Sequence, residues 1–223
     1  MTRRIIWPIV FGIGGAAILV SLGIWQVQRL AWKEGVLAEM EAQIAADPVA
    51  IPEEPDPEAH GYLSVQATGR MGADHVRVLV SQRGQGAGYR AISPLDTGER
   101  TILVDRGFMP TEGEPPVHQR QVTVIGNLHW PEEVDSFTPE NDLARNIWYA
   151  RDVEALAERL DAEPILVVAR EMSVSDDPVT PLPVDTSGIP NDHLEYAITW
   201  FSLAAIWLGM TLYLLWRIRR RTV

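Results

Sequence analysis

Cysteine is absent from all 223 residues, so no disulfide can staple this chain and no thiolate can hold a metal. Acids are missing from residues 1–27 and 217–223, which hold six arginines instead. Charge of either sign is missing from residues 5–27, and between residues 194 and 216 only Glu195 is charged at neutral pH. The local signatures of common enzymes are missing as well. There is no His-Glu-x-x-His and no Gly-x-Ser-x-Gly, and His60, His75, His118 and His129 are widely spaced, which leaves hydrolase and local zinc chemistry without a motif. Methionines are scattered, so a Met-rich copper carrier gains no support.

What the chain does have is two long apolar runs. Residues 5–27 and 194–216 contain 23 residues each; a helix of that length spans about 35 Å, enough for a hydrocarbon core of about 30 Å with some tilt. The first run exceeds the core of a cleaved signal and reads as an uncleaved anchor. Arginines before the first run and after the second place both termini in the cytoplasm by the positive-inside rule, and the lipid bilayer is the first implied partner. At the start of the second run, Asp192 can cap a helix whose first turn is His193, Leu194 and Glu195. Gly12, Gly15, Ala16 and Gly23 give the first helix a small-residue stripe on which the second could lie closely.

Between the helices the balance reverses. Residues 28–192 carry 29 acids against 13 Lys and Arg, a surface that repels phosphate backbones and so excludes nucleic acid as a partner. Apolar spacing continues the first helix to about residue 46, and residues 47–60, with four prolines, read as an extended acidic linker. Residues 62–70, 76–83, 89–94, 101–106 and 122–129 are short β-prone runs separated mostly by glycine-containing turns, and 146–149 and 165–169 are further strand candidates. Residues 153–160 form an amphipathic helix. The glycines of residues 83–90 open no helix and read as a turn rather than a phosphate loop. Asp105-Arg106-Gly107 reads as a strand ending in a turn.

The expected fold is thus an α+β membrane protein: two transmembrane helices flanking a mostly antiparallel, barrel-like or meander, β domain with one short helix. Its parts are a first transmembrane helix (1–27), a membrane-proximal helix and linker (28–60), an extracytoplasmic β-rich domain with its return segment (61–192), a second transmembrane helix (193–216) and a basic cytoplasmic tail (217–223).

His193 is the one histidine at a membrane boundary. Tyr196, Trp200 and Trp207 follow at i+3, i+7 and i+14, so the imidazole tops an aromatic wall that suits a porphyrin, and neutral imidazole is an ordinary axial ligand of haem iron. In a helix hairpin Arg29 and Lys33 would lie at the same height and could pair with haem propionates. The same residues also describe an interfacial histidine beside ordinary aromatic and cationic belts. The residues leave both readings open.

Four segments occur in the order seen in the surfeit-locus family, which this chain resembles over nearly its whole length. They are Leu22-Gly-Ile-Trp-Gln-Val-Gln-Arg-Leu-Ala-Trp-Lys33, Arg83-Gly-Gln-Gly-Ala-Gly-Tyr-Arg90, Ile102-Leu-Val-Asp-Arg-Gly-Phe-Met-Pro110 and Pro190-Asn-Asp-His-Leu-Glu-Tyr-Ala-Ile-Thr-Trp-Phe201. Asp192 stands where the family often has a second Asn. The resemblance implies a non-enzymatic assembly factor of cytochrome c oxidase that binds haem a, received from haem a synthase, and promotes its insertion into the catalytic subunit. His193 would be the axial ligand, with Tyr196 and Trp200 holding the ring and farnesyl tail. The alternative is a haem-independent scaffold that stabilises the catalytic subunit. With no transit signature, the expected location is a bacterial inner membrane, with the central domain in the periplasm.

Overall fold

The computed structural model describes residues 3–220 except 83 and 119, and of residues 3 and 4 the backbone alone. The readings placed on Arg83, on Arg221 and on the side chains of Arg3 and Arg4 therefore lie outside the described residues. The chain divides into two units, residues 1–39 with 186–223, and residues 40–185.

The first unit is a pair of helices. Helix α1 runs Arg3–Ile44 without a break at residue 27 and contains Pro8 in its second turn, at the cost of one intrahelical hydrogen bond. A second long helix, His193–Arg220, closes the chain. Both are long and apolar enough to cross a membrane. Their outward faces leave large apolar side chains uncovered, among them Trp7, Phe11, Ile13, Met210 and Leu212, each exposed by about two thirds.

The second unit is a mixed sheet. In chain order it holds β1 (Val49–Ala50), α2 (Pro57–His60), β2 (Ser64–Met71), β3 (Val76–Gln82), β4 (Gly86–Asp96), β5 (Thr101–Pro110), β6 (Gln121–Leu128), β7 (Ile147–Trp148), α3 (Val153–Leu160) and β8 (Leu166–Met172); the final helix is α4. The strand order is β1-β2-β6-β8-β5-β4-β3-β7. Strand β2 also meets β4, through Arg70↔Asp96 and Met71↔Leu95, so β2, β6, β8, β5 and β4 form a closed circuit. The pairing departs from a simple antiparallel meander. Strands β1 and β2, β3 and β7, and β5 and β8 run parallel; the last of these pairs forms because β8 returns through the helical crossover of α3.

Burial explains the order. Strand β5 is central and buried on both faces, as its unbroken run Ile102, Leu103, Val104 requires. Ile102 and Val104 enter one core with Val65, Leu95, Val122, Val124 and Val167, whereas Leu103 enters a second with Val76, Val78, Ile92, Trp148 and Leu166. Helix α3 seals that second core with Val153, Leu156, Ala157 and Leu160, and burial of a leucine such as Leu156 contributes about 1.5–3 kcal/mol. Asp152 caps α3 by accepting from the Ala155 N–H at 3.1 Å, and Asp161 ends it in the left-handed region.

Three sequence expectations change here. The stretch read as an extended linker contains β1, paired with β2, and α2, capped by Asp56. Residues 105–107 do not end a strand: β5 continues to Pro110 across a register shift opposite Arg90 and Ile92. Gly107 makes this possible with φ +116, and a Cβ there would stand 2.1 Å from the Thr180 carbonyl oxygen. The return segment, read as unpatterned, also packs: Phe108 and Thr180 exchange backbone hydrogen bonds at 2.8 Å, and Val179 is buried.

Candidate functional site

Helices α1 and α4 meet through small residues. A Cβ on Gly12 would fall 2.2 Å from Thr211, one on Gly15 2.5 Å from Trp207, and one on Gly23 2.7 Å from Phe201. Ala16, Ala197 and Ala204 are buried in the same seam. Close approach lets the Trp207 indole N–H reach backbone on the facing helix, donating to the Gly12 carbonyl at 3.1 Å and the Phe11 carbonyl at 3.3 Å. Apolar grooves of about 420 and 340 Å³ flank Trp207, the first lined by Phe11, Met210 and Leu214, the second by Ile18, Leu203 and Ile206.

His193 opens α4, whose first turn forms as Tyr196 donates its N–H to the Asp192 carbonyl at 3.2 Å. The imidazole faces the seam. Its Nδ1 lies 2.8 Å from Oε1 of Gln26, a residue only 8% exposed. An amide oxygen only accepts, so Nδ1 carries the proton of this bond, and in the neutral ring Nε2 keeps its lone pair. Lys33 Nζ donates to the Pro190 carbonyl, three residues before His193. Arg29 is exposed and stacks its guanidinium 3.9 Å from the centroid of Trp32. Trp200 is half-buried, while Tyr196 is 56% exposed.

The structure thus gathers His193, Gln26, Lys33 and Pro190, and leaves Tyr196 and Arg29 facing outward. The aromatic wall of the sequence reading is divided, since Trp207 is committed to the backbone of α1. One polar atom at this end is incomplete: Asn191 Oδ1 is buried and finds no donor among the described residues. Such an atom costs about 1–3 kcal/mol. A lone-pair nitrogen on a hydrogen-bonded ring and a nearby ammonium with donors to spare are a donor set that fits an amphipathic, iron-containing ring; the apolar grooves at Trp207 lie deeper along α4, starting about 15 Å from His193.

Gln26 was legible only as a boundary residue. The available signal is that Gln26 and Ser21 are the only polar side chains with a hydroxyl or amide in residues 5–27, and Ser21 is satisfied by the Ala17 carbonyl at 2.7 Å within its own helix. A buried amide in such a run calls for a partner on another helix.

Sequence reasoning also missed a buried ionic network in the sheet unit. Asp105, fully buried, accepts from Arg90 Nη1 at 2.7 Å, from Arg151 Nη1 at 3.4 Å and from the Gly107 N–H at 3.1 Å. Arg106, 2% exposed, donates Nε to Asp176 at 2.9 Å, Nη1 to Ser93 at 3.3 Å and Nη2 to the Pro116 carbonyl at 2.8 Å; His118 Nε2 lies 2.7 Å from the same Asp176. Glu133 closes the set on Arg151. Burial acts to raise the Glu133 carboxyl, but the hydrogen bonds and charge of Arg151 hold it below its ordinary value, and Glu133 and Asp105 together raise Arg151 against its own burial. These groups satisfy one another across β4, β5 and the return segment. Their chemistry is that of a structural lock. Among the described residues no group of three or more His, Asp or Glu is placed to hold a metal ion.

Comparison with known proteins follows the same segments. The model of the SURF1 family matches residues 14–205. Surfeit locus protein 1 of Homo sapiens is 35% identical over 213 residues, covering 83% of this chain and 70% of that protein. A SURF1-like protein of Rickettsia felis is 32% identical over 218 residues, covering 92% of this chain and 93% of that one. A SURF1-like protein of Monosiga brevicollis is 34% identical over 221 residues, with 88% and 83% covered.

Proposed function

Because the chain belongs to the SURF1 family, we propose that it is a non-enzymatic assembly factor for haem–copper cytochrome c oxidase, anchored in a bacterial inner membrane by α1 and α4. In this reading it receives haem a from haem a synthase, holds it at His193 and promotes its insertion into the catalytic subunit. In this reading the sheet unit faces the periplasm, which the arginines at the end of α4 support by the positive-inside rule. The apolar faces of the two helices suit lipid rather than water.

The observation that carries the proposal is the state of His193. Of five histidines it alone belongs to the helix-pair unit, and its Nδ1 is held by Gln26 Oε1, an arrangement that in the neutral ring leaves the lone pair on Nε2. Haem supplies the iron that such a nitrogen ligates. Lys33 can offer its remaining ammonium protons to a propionate, and Trp200 can cover part of the ring, with the apolar groove at Leu203 and Ile206 deeper along α4 left for the tail. Arg29 would need to leave Trp32 to assist. The test is the visible spectrum of the detergent-purified protein after co-expression with the enzymes that make haem a, wild type beside His193→Ala. Haem a is expected in the wild type and lost from a folded variant. Haem absent from both proteins, with the oxidase still failing to assemble when the chain is deleted, would favour a scaffold acting on the catalytic subunit without haem.

A further inference from the structure

We infer that Gln26 is a positioning residue for the haem-ligating nitrogen of His193, and that its neutral amide sets a grip weak enough for the ligand to be surrendered. The inference rests on the carrier reading above. Gln26 is nine-tenths buried and meets His193 across 167 positions of sequence at 2.8 Å, so the contact comes from helix pairing and not from local geometry. Nothing in the helix itself needs it. An amide facing an apolar seam without a partner would cost free energy, and across the seam His193 supplies one.

The bond has two consequences for the ring. It fixes the tautomer, because an acceptor at Nδ1 keeps the proton there and directs the lone pair to Nε2. It also limits how the imidazole turns, since rotation about the Cβ–Cγ bond breaks the contact. Outer partners of this kind raise the basicity of a metal-bound imidazole, and a carboxylate does so more than an amide, because negative charge pulls the Nδ1 proton harder. A permanent site gains from a carboxylate. A carrier must release its cargo, and a neutral acceptor gives orientation with less donation to iron. Lys33 reinforces the arrangement from the other side by bonding to the Pro190 carbonyl, which ties the chain entering α4 to the helix that carries Gln26.

The test uses the full chain in detergent, titrated with haemin, with the iron–histidine stretching frequency of the five-coordinate ferrous form read by resonance Raman. Four proteins are compared: wild type, His193→Ala, Gln26→Leu and Gln26→Glu. Gln26→Leu should lower haemin affinity about 10–100-fold, the range seen for loss of an outer-shell partner, and lower the stretching frequency. Gln26→Glu should raise the frequency and slow haem release to apomyoglobin. Opposite movement by the two variants is the signature, since a packing role would move both the same way. Equal loss of haem from both variants, or wild-type affinity and frequency in both, overturns the role of Gln26 while leaving His193 as ligand. If Gln26→Leu fails to fold, Gln26→Glu decides alone by the direction of its frequency shift. If wild type and His193→Ala bind haemin equally, the carrier reading itself falls and this inference with it.

Discussion

Burial pushes the His129 imidazole down to about 4, and the neighbouring charge of Arg151 adds to the effect while Glu133 opposes it. The ring lies beside Tyr62, with centroids 5.3 Å apart. A histidine whose folded pKa is depressed binds fewer protons folded than unfolded, so its contribution to stability is complete above about 6.5 and is lost as pH falls towards 4. Allowing for its partial exposure, the loss is about 2 kcal/mol. Replacing His129 by Gln should remove that share of the acid sensitivity. Urea unfolding followed by tryptophan fluorescence at pH 7 and pH 4.5 should show the variant losing less stability than the wild type; equal losses would place the sensitivity elsewhere, for instance at His75, which burial also depresses.

At the scale of the element, β5 and the register shift at Gly107 connect the sheet to the return segment. Gly107→Ala adds a methyl 2.1 Å from the Thr180 oxygen at φ +116, and neither strain nor clash can be relieved without breaking the exchange between Phe108 and Thr180. A destabilisation of roughly 2–4 kcal/mol is expected, measured as a lower urea midpoint with faster proteolysis after residue 172. The strands themselves were readable because alternation and β-branched residues mark half-buried backbone. Strand β5 was cut short in the sequence reading because glycine after Asp-Arg resembles a turn, and only the carbonyl of Thr180, 73 residues away, shows why glycine is needed there. Parallel entry of β8 beside β5, the pairing of β1 and the lock on Asp105 and Arg106 were equally illegible, each depending on partners distant in sequence. In the helix pair the small residues could be read, and α4 does lie on them. His193 could be singled out by its place at the end of an apolar run. Its bond to Gln26 could not, since nothing local links residues 167 positions apart.

For the whole molecule, the strand order fixes when the sheet can close. Strand β8 is the last to be synthesised, yet it lies between β5 and β6. Until residue 172 is available, the facing edges of β5 and β6 stay open, and open edges invite pairing with other chains. At ordinary synthesis rates, the interval between the end of β6 and the end of β8 is a few seconds. During it, Arg106 of β5 would be wet, because Asp176, which satisfies it, comes later still. Chains ended at residue 160 should therefore yield no protease-resistant core, whereas chains ended at residue 185 should yield one, and a resistant core from the shorter chain would show that the first seven strands close without β8. The hazard falls just before the second apolar helix emerges, so quality control that recognises the open sheet has a short window in which to act.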